Sequence, residues 1–152
     1  MEDQDIKKEI LVGFDYSYLH SDWVTPLSDA LAGVDAKQAV LRRNTDSKSI
    51  WEIILHMAVW NENIIERIQS GEPERPVEGA WLSFPSDPND TAWEASKVRL
   101  WKSLGDVRRM IEDVSLATIN ASPYELGDLL CRFSHNAYHI GQITVLKGIT
   151  EN

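Results

Sequence analysis

The clearest helix signal in the chain is residues 49–73, which read SIWEIILHMAVWNENIIERIQSGEP. Ser49 followed three residues later by Glu52 is a capping box, the arrangement in which two side chains satisfy free backbone N–H groups at a helix start. Gly71 and Pro73 are typical of a helix end. Between these signals, apolar residues recur at helical spacing: Ile50, Ile53, Ile54, Met57, Trp60, Ile64 and Ile68. The pattern predicts one long amphipathic helix.

Three more long helices are predicted, one before this helix and two after it, so the helix at residues 50–70 is the second of four. The first runs from Asp3 to about Leu19, the third opens at Thr91 (TAWE), and the fourth runs from Ser122 (SPYE) to Gly148. Each of the last two starts combines a capping residue with an acidic residue three positions later, which is the spacing of a capping box. The chain therefore contains four segments long enough to pack side by side.

Shorter helical turns are predicted between the first two long helices. Thr25 and Pro26 are a cap and a first-turn proline, and they begin a segment that stops near Gly33. Asp35 and Gln38 have capping-box spacing and predict one further short turn.

No segment shows the strict alternation of apolar and polar residues that a half-buried strand needs, so the predicted class is all-α. Four helices of about 20 residues, each about 30 Å long, suit an antiparallel four-helix bundle. Residues 71–90 are rich in proline and glycine and predict one long irregular loop between helices two and three, held by Trp81 and Phe84. Nothing marks a boundary, so residues 1–152 are predicted to form a single domain.

The composition excludes several classes of function. With 24 acidic and 15 basic residues the net charge is −9, a sign that repels phosphate backbones and anionic lipid surfaces. The apolar runs are too short to span a bilayer. Cys131 is the only cysteine, so no internal disulfide can form, and the N-terminal sequence MEDQDIKKEI lacks the apolar stretch of a signal peptide. We therefore expect a cytoplasmic protein with neither a nucleic acid nor a membrane as its partner.

Two histidines four residues apart carry the main chemical signal. His135 and His139 belong to the pentapeptide HNAYH, and residues at this spacing lie one above the other on a helix. Two imidazoles hold a metal weakly, and His56, in the middle of the second helix, is the natural third ligand. If the two helices are neighbours, three imidazoles can bind Zn²⁺, Ni²⁺ or Fe²⁺ and leave positions open for water or substrate.

The fourth helix allows other interpretations. Its histidines could lie on a solvated face, because Leu130, Phe133 and Ile140 lie on roughly the opposite side. Alternatively, the histidines point into the bundle and this apolar face packs on another surface, such as a second subunit. Cys131, one turn before His135, is interpreted as a small buried residue rather than a ligand.

The remaining polar candidates are given weaker roles. Gln142 and Asp128 share the histidine side of their helix and could orient an imidazole or a bound water, although Asp128 could equally face solvent. His20 is interpreted as a bystander. Three acidic residues of the second helix could act as general bases but are interpreted as solvated helix charges: Glu52, Glu62 and Glu66. Three aromatic residues are interpreted as walls of a substrate pocket or as ordinary core: Trp60, Trp81 and Tyr138.

The segments around these histidines resemble the DinB-like family of metalloenzymes. The likeness is carried by SIWEIILHMAVWN at residues 49–61 together with HNAYHIGQI at residues 135–143. It runs over nearly the whole chain and includes LSDALAGVDAKQ at residues 27–38 and the GEP at residues 71–73.

The resemblance implies a four-helix bundle, often dimeric, with a divalent metal held by three histidines. By position in the motifs these are His56, His135 and His139. Some members of the family are thiol-dependent transferases or isomerases that use low-molecular-weight thiols.

Two main function hypotheses follow. The first is an S-transferase in which the metal activates a low-molecular-weight thiol for attack on a small-molecule substrate. The second is a non-catalytic bundle, either clamped by its metal or carrying a vestigial site, that works as a homodimer. A metal-dependent hydrolase is a third, weaker hypothesis.

Overall fold

The computed structural model describes residues 3–71, 75–121 and 126–150, and these contain seven α-helices and no β-strand. In chain order they are α1 (Asp3–Tyr16), α2 (Leu27–Leu31), α3 (Ala36–Ala39), α4 (Ile50–Ser70), α5 (Asp90–Asp113), α6 (Leu116–Ala121) and α7 (Leu126–Thr150). The all-helical class predicted from the sequence is confirmed over these ranges. The long helices α1, α4, α5 and α7 correspond to the four that were expected.

The capping signals around α4 act as predicted. The Ser49 side chain accepts a hydrogen bond from the Glu52 backbone N–H at 3.2 Å, and the Glu52 carboxylate accepts one from the Ser49 N–H at 3.0 Å. At the other end, Gly71 adopts a left-handed conformation with φ 79° and donates its N–H to the Arg67 carbonyl at 2.7 Å. Both ends of α4 are thus set by local sequence.

Replacement of Gly71 by alanine is expected to lower the free energy of unfolding by about 1 kcal/mol, because a Cβ disfavours the left-handed conformation. Among the described residues, apart from the chain neighbours, no atom lies within 4 Å of the added Cβ, so the cost comes from the backbone conformation. Gly105 is the matched control: it lies inside α5, also with open space around it, and Gly105→Ala should raise stability by about 0.5–1 kcal/mol. Urea unfolding of both variants tests this, and the same sign in both would contradict it.

The starts of α3 and α5 show how short side chains select helix bounds. Asp35 caps α3 by accepting the Gln38 N–H at 2.8 Å, as its spacing predicted. α5 begins earlier than expected, at Asp90 rather than at the Thr91 signal, because the Asn89 side chain accepts the Ala92 N–H at 3.0 Å. Asparagine is a stronger capping residue than threonine, which accounts for the difference.

Other bounds differ from the prediction by a few residues. α1 ends at Tyr16 instead of near Leu19, where the Ser17 hydroxyl donates to the Phe14 carbonyl at 2.6 Å and competes with the helical bonding pattern. The short helix α6 was not expected. The predicted start of the last helix at Ser122 lies outside the described residues, and α7 continues to Thr150, two residues past Gly148.

α4 lies at the centre of the packing. It contacts both α5 and α7, and α1 contacts the same two helices. Every residue from Ser49 to Val59 is buried, so this half of α4 is covered on all sides. The largest fully buried side chains belong mainly to these helices: Trp51, Trp93, Phe14, Ile54, Leu104 and Ile111.

The apolar side of α7 is covered within the chain. The Phe133 ring packs against Phe14 of α1 with ring centroids 5.2 Å apart, and Ile140 is buried. Only Leu130 of this set is exposed. Phe133 therefore packs on α1 and Ile140 is buried within the chain, so neither is free for the second-subunit contact that the sequence suggested as one alternative.

The described part of the connection between α4 and α5, residues 75–89, packs on the N-terminal half of α4. Phe84 lies against Trp51, with ring centroids 6.0 Å apart, and Trp81 stacks on His56. The prediction that Trp81 and Phe84 hold this loop is confirmed.

In the described part of the chain, no helix combines the length and the apolar character that crossing a membrane requires.

Candidate metal centre

Three imidazoles from two helices meet at one point. His56 of α4 and His139 of α7 are buried, and His135 of α7 is half-buried. The Nε2 atom of His135 lies 3.1 Å from Nε2 of His56 and 3.0 Å from Nε2 of His139. Among the described residues, these three histidines are the one group of metal-ligating side chains with this convergence. The three sequence candidates are therefore brought together by the fold.

Hydrogen bonds at the far side of two rings decide which nitrogen carries the proton. Nδ1 of His56 lies 2.5 Å from the carbonyl oxygen of Ala80, and Nδ1 of His139 lies 2.7 Å from Oε1 of Gln142. Because these oxygens can only accept, both Nδ1 atoms must donate. The Nε2 lone pairs of His56 and His139 are thus free and directed toward His135, which is the state a metal ligand requires.

The spacing of the nitrogens fits a small cation. Two imidazole nitrogens that share one Zn²⁺ at about 2.0 Å with tetrahedral angles lie about 3.3 Å apart. The observed separations of 3.0 and 3.1 Å are within a few tenths of an ångström of that value. An all-nitrogen donor set also suits Zn²⁺, Ni²⁺ and Fe²⁺ better than Mg²⁺ or Ca²⁺, which prefer oxygen. The donor set and its spacing fit the divalent metal expected from the sequence.

Burial keeps these imidazoles neutral. It lowers the pKa of His56 to about 4 and that of His135 to about 3, and it lowers the pKa of His139 as well. Burial is the largest cause in each case, and for His56 and His135 the neighbouring histidines and the Arg132 guanidinium add to it. Neutral imidazole is the form that binds a metal, so the cluster is ready to bind at neutral pH.

The metal-free protein is expected to lose stability on mild acidification. Because the folded-state pKa of His56 lies below its unfolded value of 6.5, its contribution is complete above pH 6.5 and is lost as the pH falls toward about 4. This group alone should lower the free energy of unfolding by about 2 kcal/mol between pH 7 and pH 5. Urea unfolding at both pH values measures the change. His20→Ala should show the same loss as the wild type, whereas an equal loss in His56→Ala would contradict the assignment.

The loop residues Ala80 and Trp81 hold His56 in place. The Trp81 ring stacks on the imidazole with centroids 3.8 Å apart and planes at 12°, while the Ala80 carbonyl accepts its Nδ1 proton. Sequence reasoning identified Trp81 as a wall but missed Ala80, because a backbone carbonyl leaves no side-chain signal. Gln142, predicted to orient an imidazole, does so for His139 and also donates its amide to the Tyr138 hydroxyl at 3.0 Å.

The other candidates lie outside the cluster. His20 is exposed and its ring contacts Tyr16. Cys131 is exposed, so the interpretation as a small buried residue is wrong; its position on α7 faces away from the packed side. Asp128 forms an ion pair with Arg67 at 3.2 Å and orients no imidazole.

Two acidic residues of α4 have defined partners. Glu52 is buried, caps its own helix and accepts two hydrogen bonds from Arg42, at 2.8 and 3.0 Å. The interpretation of Glu52 as a solvated charge is therefore wrong. Glu62 is half-buried and pairs with Arg99 at 2.7 Å, while Glu66 is exposed as expected.

A cavity of about 750 Å³ opens beside the histidines. His139, Gln142 and Trp81 form part of its lining, together with Tyr138. Trp60 lies on another side of the cluster, with its ring centroid 6.3 Å from that of His56 and the Arg132 guanidinium 4.4 Å above it. Of the three predicted aromatic walls, Trp81 and Tyr138 line this cavity and Trp60 does not.

The fold and the cluster define a helical protein with a buried group of three neutral imidazoles. A scan against models of known protein families found no match, and searches of curated proteins and of solved structures found none either. The relation to the DinB-like family stays a prediction from the sequence motifs.

Proposed function

We propose that this chain is a divalent-metal-binding protein of the DinB-like type, with His56, His135 and His139 as the metal ligands. The observation that carries this proposal is the convergence of three Nε2 atoms in which two rings have their Nδ1 protons already bound by Ala80 and Gln142. A neutral His135 can donate its single ring proton to only one of the other two Nε2 atoms, so at least one Nε2 lone pair of the cluster has no donor, and a buried lone pair without a partner costs free energy. A divalent cation relieves that cost.

The proposal includes an antiparallel four-helix bundle made of α1, α4, α5 and α7. It is supported by the order of the contacts between α4 and α7. His56 lies near His139, and Arg67, three turns further along α4, pairs with Asp128, three turns earlier in α7. Residue numbers that rise along one helix and fall along its neighbour are typical of antiparallel packing.

We further propose that the site is catalytic and that the protein is a metal-dependent S-transferase. Three protein ligands leave at least one coordination position free, and the cavity beside His139 offers a small molecule a route to it. A cation bound there would lower the pKa of a thiol toward neutrality. The chain itself fixes the imidazoles through Ala80 and Gln142 and shields His56 from water with the Trp81 ring. The choice of a low-molecular-weight thiol rests on the family resemblance.

Metal analysis and a thiol assay test the two parts of this proposal. Purified protein should contain, or after removal by chelator take up, about one equivalent of Zn²⁺, Ni²⁺ or Fe²⁺ per chain. The loaded protein should speed the conjugation of a small thiol with chlorodinitrobenzene relative to the metal-free protein. Absence of uptake of all three metals would overturn the metal site, and uptake without conjugation for any thiol tried would overturn the transferase.

The non-catalytic clamp is the alternative favoured by one observation: the ligands come from two different helices, so a bound ion would join α4 to α7. A clamp predicts a large rise in melting temperature on metal addition and no turnover with thiols or with ester substrates. Turnover of an ester without a thiol would favour the hydrolase. Sedimentation velocity tests the expected homodimer separately.

A further inference from the structure

The cavity beside the histidines has the dimensions of a small-molecule site. Its volume of about 750 Å³ lies within the usual range for sites that hold a ligand of drug size. One end is formed by His139, Gln142 and Trp81, next to the cluster. The rest of the lining comes mainly from α7 and from residues 43–48, the segment that precedes α4.

One wall of the cavity is an apolar stripe of α7. Tyr138, Val145 and Ile149 follow one another at helical spacing and are 63%, 60% and 44% exposed. The Trp81 ring extends the same apolar surface from the loop. Large apolar side chains grouped on a concave surface mark a binding site more often than scattered exposed residues do. This wall fits a ligand with an apolar body.

The cavity also carries positive charge. Arg43 and Lys48 line it, with Asp46 as the one carboxylate in the lining. Arg43 forms no ion pair with any other residue that the structure describes. The ammonium group of Lys48 lies 5.0 Å from the centre of the Trp81 ring and 3.7 Å from Glu52.

Glu52, the acidic residue next to Lys48, leaves the Lys48 ammonium group available to bind an anion. Glu52 is already bound by two hydrogen bonds from Arg42, so its contact with Lys48 at 3.7 Å is the longer and weaker one. Two cations against one carboxylate make the lining positive, in a chain whose net charge is −9. A local positive surface on an acidic protein attracts an anion.

We propose that this cavity binds a small organic anion with an apolar, preferably aromatic, body. The body lies against Tyr138, Val145 and Trp81, and the anionic group lies at Arg43 and Lys48. The inference rests on the proposed function in one respect: if the cluster holds a metal, this anion is the substrate whose reacting atom faces the His139 end. The binding itself does not depend on a metal.

Calorimetry with the metal-free protein tests the proposal with three probes that share one body: phenylbutyrate, phenylbutanol and phenylbutylamine. We expect phenylbutyrate to bind about three- to fivefold tighter than the alcohol, the gain that a partly exposed ion pair provides, and the amine to bind most weakly. Equal affinities for the three probes would overturn the anionic preference. Absence of binding by all three at millimolar concentration would overturn the cavity as a site.

Matched variants separate the two contacts. Replacement of both Arg43 and Lys48 by glutamine should reduce the affinity for phenylbutyrate to that for the alcohol, whereas Arg109→Gln on α5 should change nothing. Val145→Asp should weaken phenylbutyrate and phenylbutanol at least tenfold, whereas Val98→Asp, at a similarly exposed position of α5, should not. An equal effect of a variant and its control would overturn the assignment of that contact.

The outcomes are distinguishable from those of the metal proposal, because no step of this experiment uses a metal. Probe binding in a protein that takes up no divalent ion would retain the cavity site and reject the metal site. Metal uptake without probe binding would retain the metal site and reject the cavity site.

Discussion

Replacement of His135 by alanine is expected to weaken Zn²⁺ or Ni²⁺ binding by more than about 100-fold. Its Nε2 atom is the one that contacts the Nε2 atoms of both other imidazoles, at 3.1 and 3.0 Å, so its loss leaves His56 and His139 as two ligands with no third. Loss of a residue that merely orients a ligand costs 10- to 100-fold in affinity, and loss of a ligand should exceed that. Competition against a chromogenic chelator measures the affinity.

His20→Ala is the matched control for this variant. His20 is exposed, and its ring contacts only Tyr16 among the aromatic contacts of the described residues, so the variant should bind metal as the wild type does. The metal-free His135→Ala protein should unfold within a few degrees of the wild type, since this side chain is half-buried and, within the described ranges, its hydrogen bonds are to the other two imidazoles. Unchanged affinity in His135→Ala would show that His135 is not a ligand.

The largest loss of stability is expected from Trp51→Ala, at about 3–5 kcal/mol. Trp51 is fully buried in α4, donates its indole N–H to the Ser96 hydroxyl of α5 at 2.8 Å, and packs on Trp93 with ring centroids 5.2 Å apart. It also supports Phe84 of the long loop. The variant removes all of these contacts and leaves a cavity where two helices and the loop meet. Urea unfolding measures the loss.

Two further variants keep this prediction testable even if Trp51→Ala does not fold. Trp51→Phe retains most of the packing and loses the hydrogen bond to Ser96, so it should cost about 1–3 kcal/mol. Trp23→Ala removes a tryptophan that is 85% exposed and should change stability by no more than about 0.5 kcal/mol. A loss in Trp23→Ala as large as that in Trp51→Phe would contradict the placement of Trp51 in the core.

Loop 75–89 links these two predictions. Phe84 rests on Trp51 and Trp81 rests on His56, so one connection packs against both the core and the metal ligand. If Trp51→Ala loosens the loop, it should also weaken metal binding through Ala80 and Trp81, although Trp51 bonds to no histidine. Metal affinity in the milder Trp51→Phe variant therefore reports how firmly the loop holds His56.

Much of the helical architecture could be predicted because its determinants are local. The capping box at Ser49 and Glu52 and the left-handed Gly71 act through atoms a few residues apart. Such local signals act in the same way in any protein, so they can be recognised from sequence. The errors in helix bounds have the same local origin: Asn89 is a better cap than the Thr91 signal, and Ser17 bonds back to Phe14. Local signals compete, and only the structure shows which one prevails.

Candidate ligands could also be identified from sequence, since a spacing of four places His135 and His139 on one side of any helix. The burial of individual side chains could not be predicted from sequence. Burial of Glu52 and exposure of Cys131 depend on which helix covers each position, and both were interpreted wrongly. Covering of Phe133 by Phe14 likewise depends on α1, which is more than one hundred residues away in the chain.

Helix type, helix capping and the identity of the three histidines therefore follow from the order of residues, because they depend on periodicity and on neighbours within one or two turns. The meeting of His56 with α7, the protons held by the Ala80 carbonyl and by Gln142, and the cavity with its positive side depend on the tertiary structure. These features arise from contacts between segments far apart in the chain. No spacing rule encodes such contacts, since they are selected by the packing of the whole core.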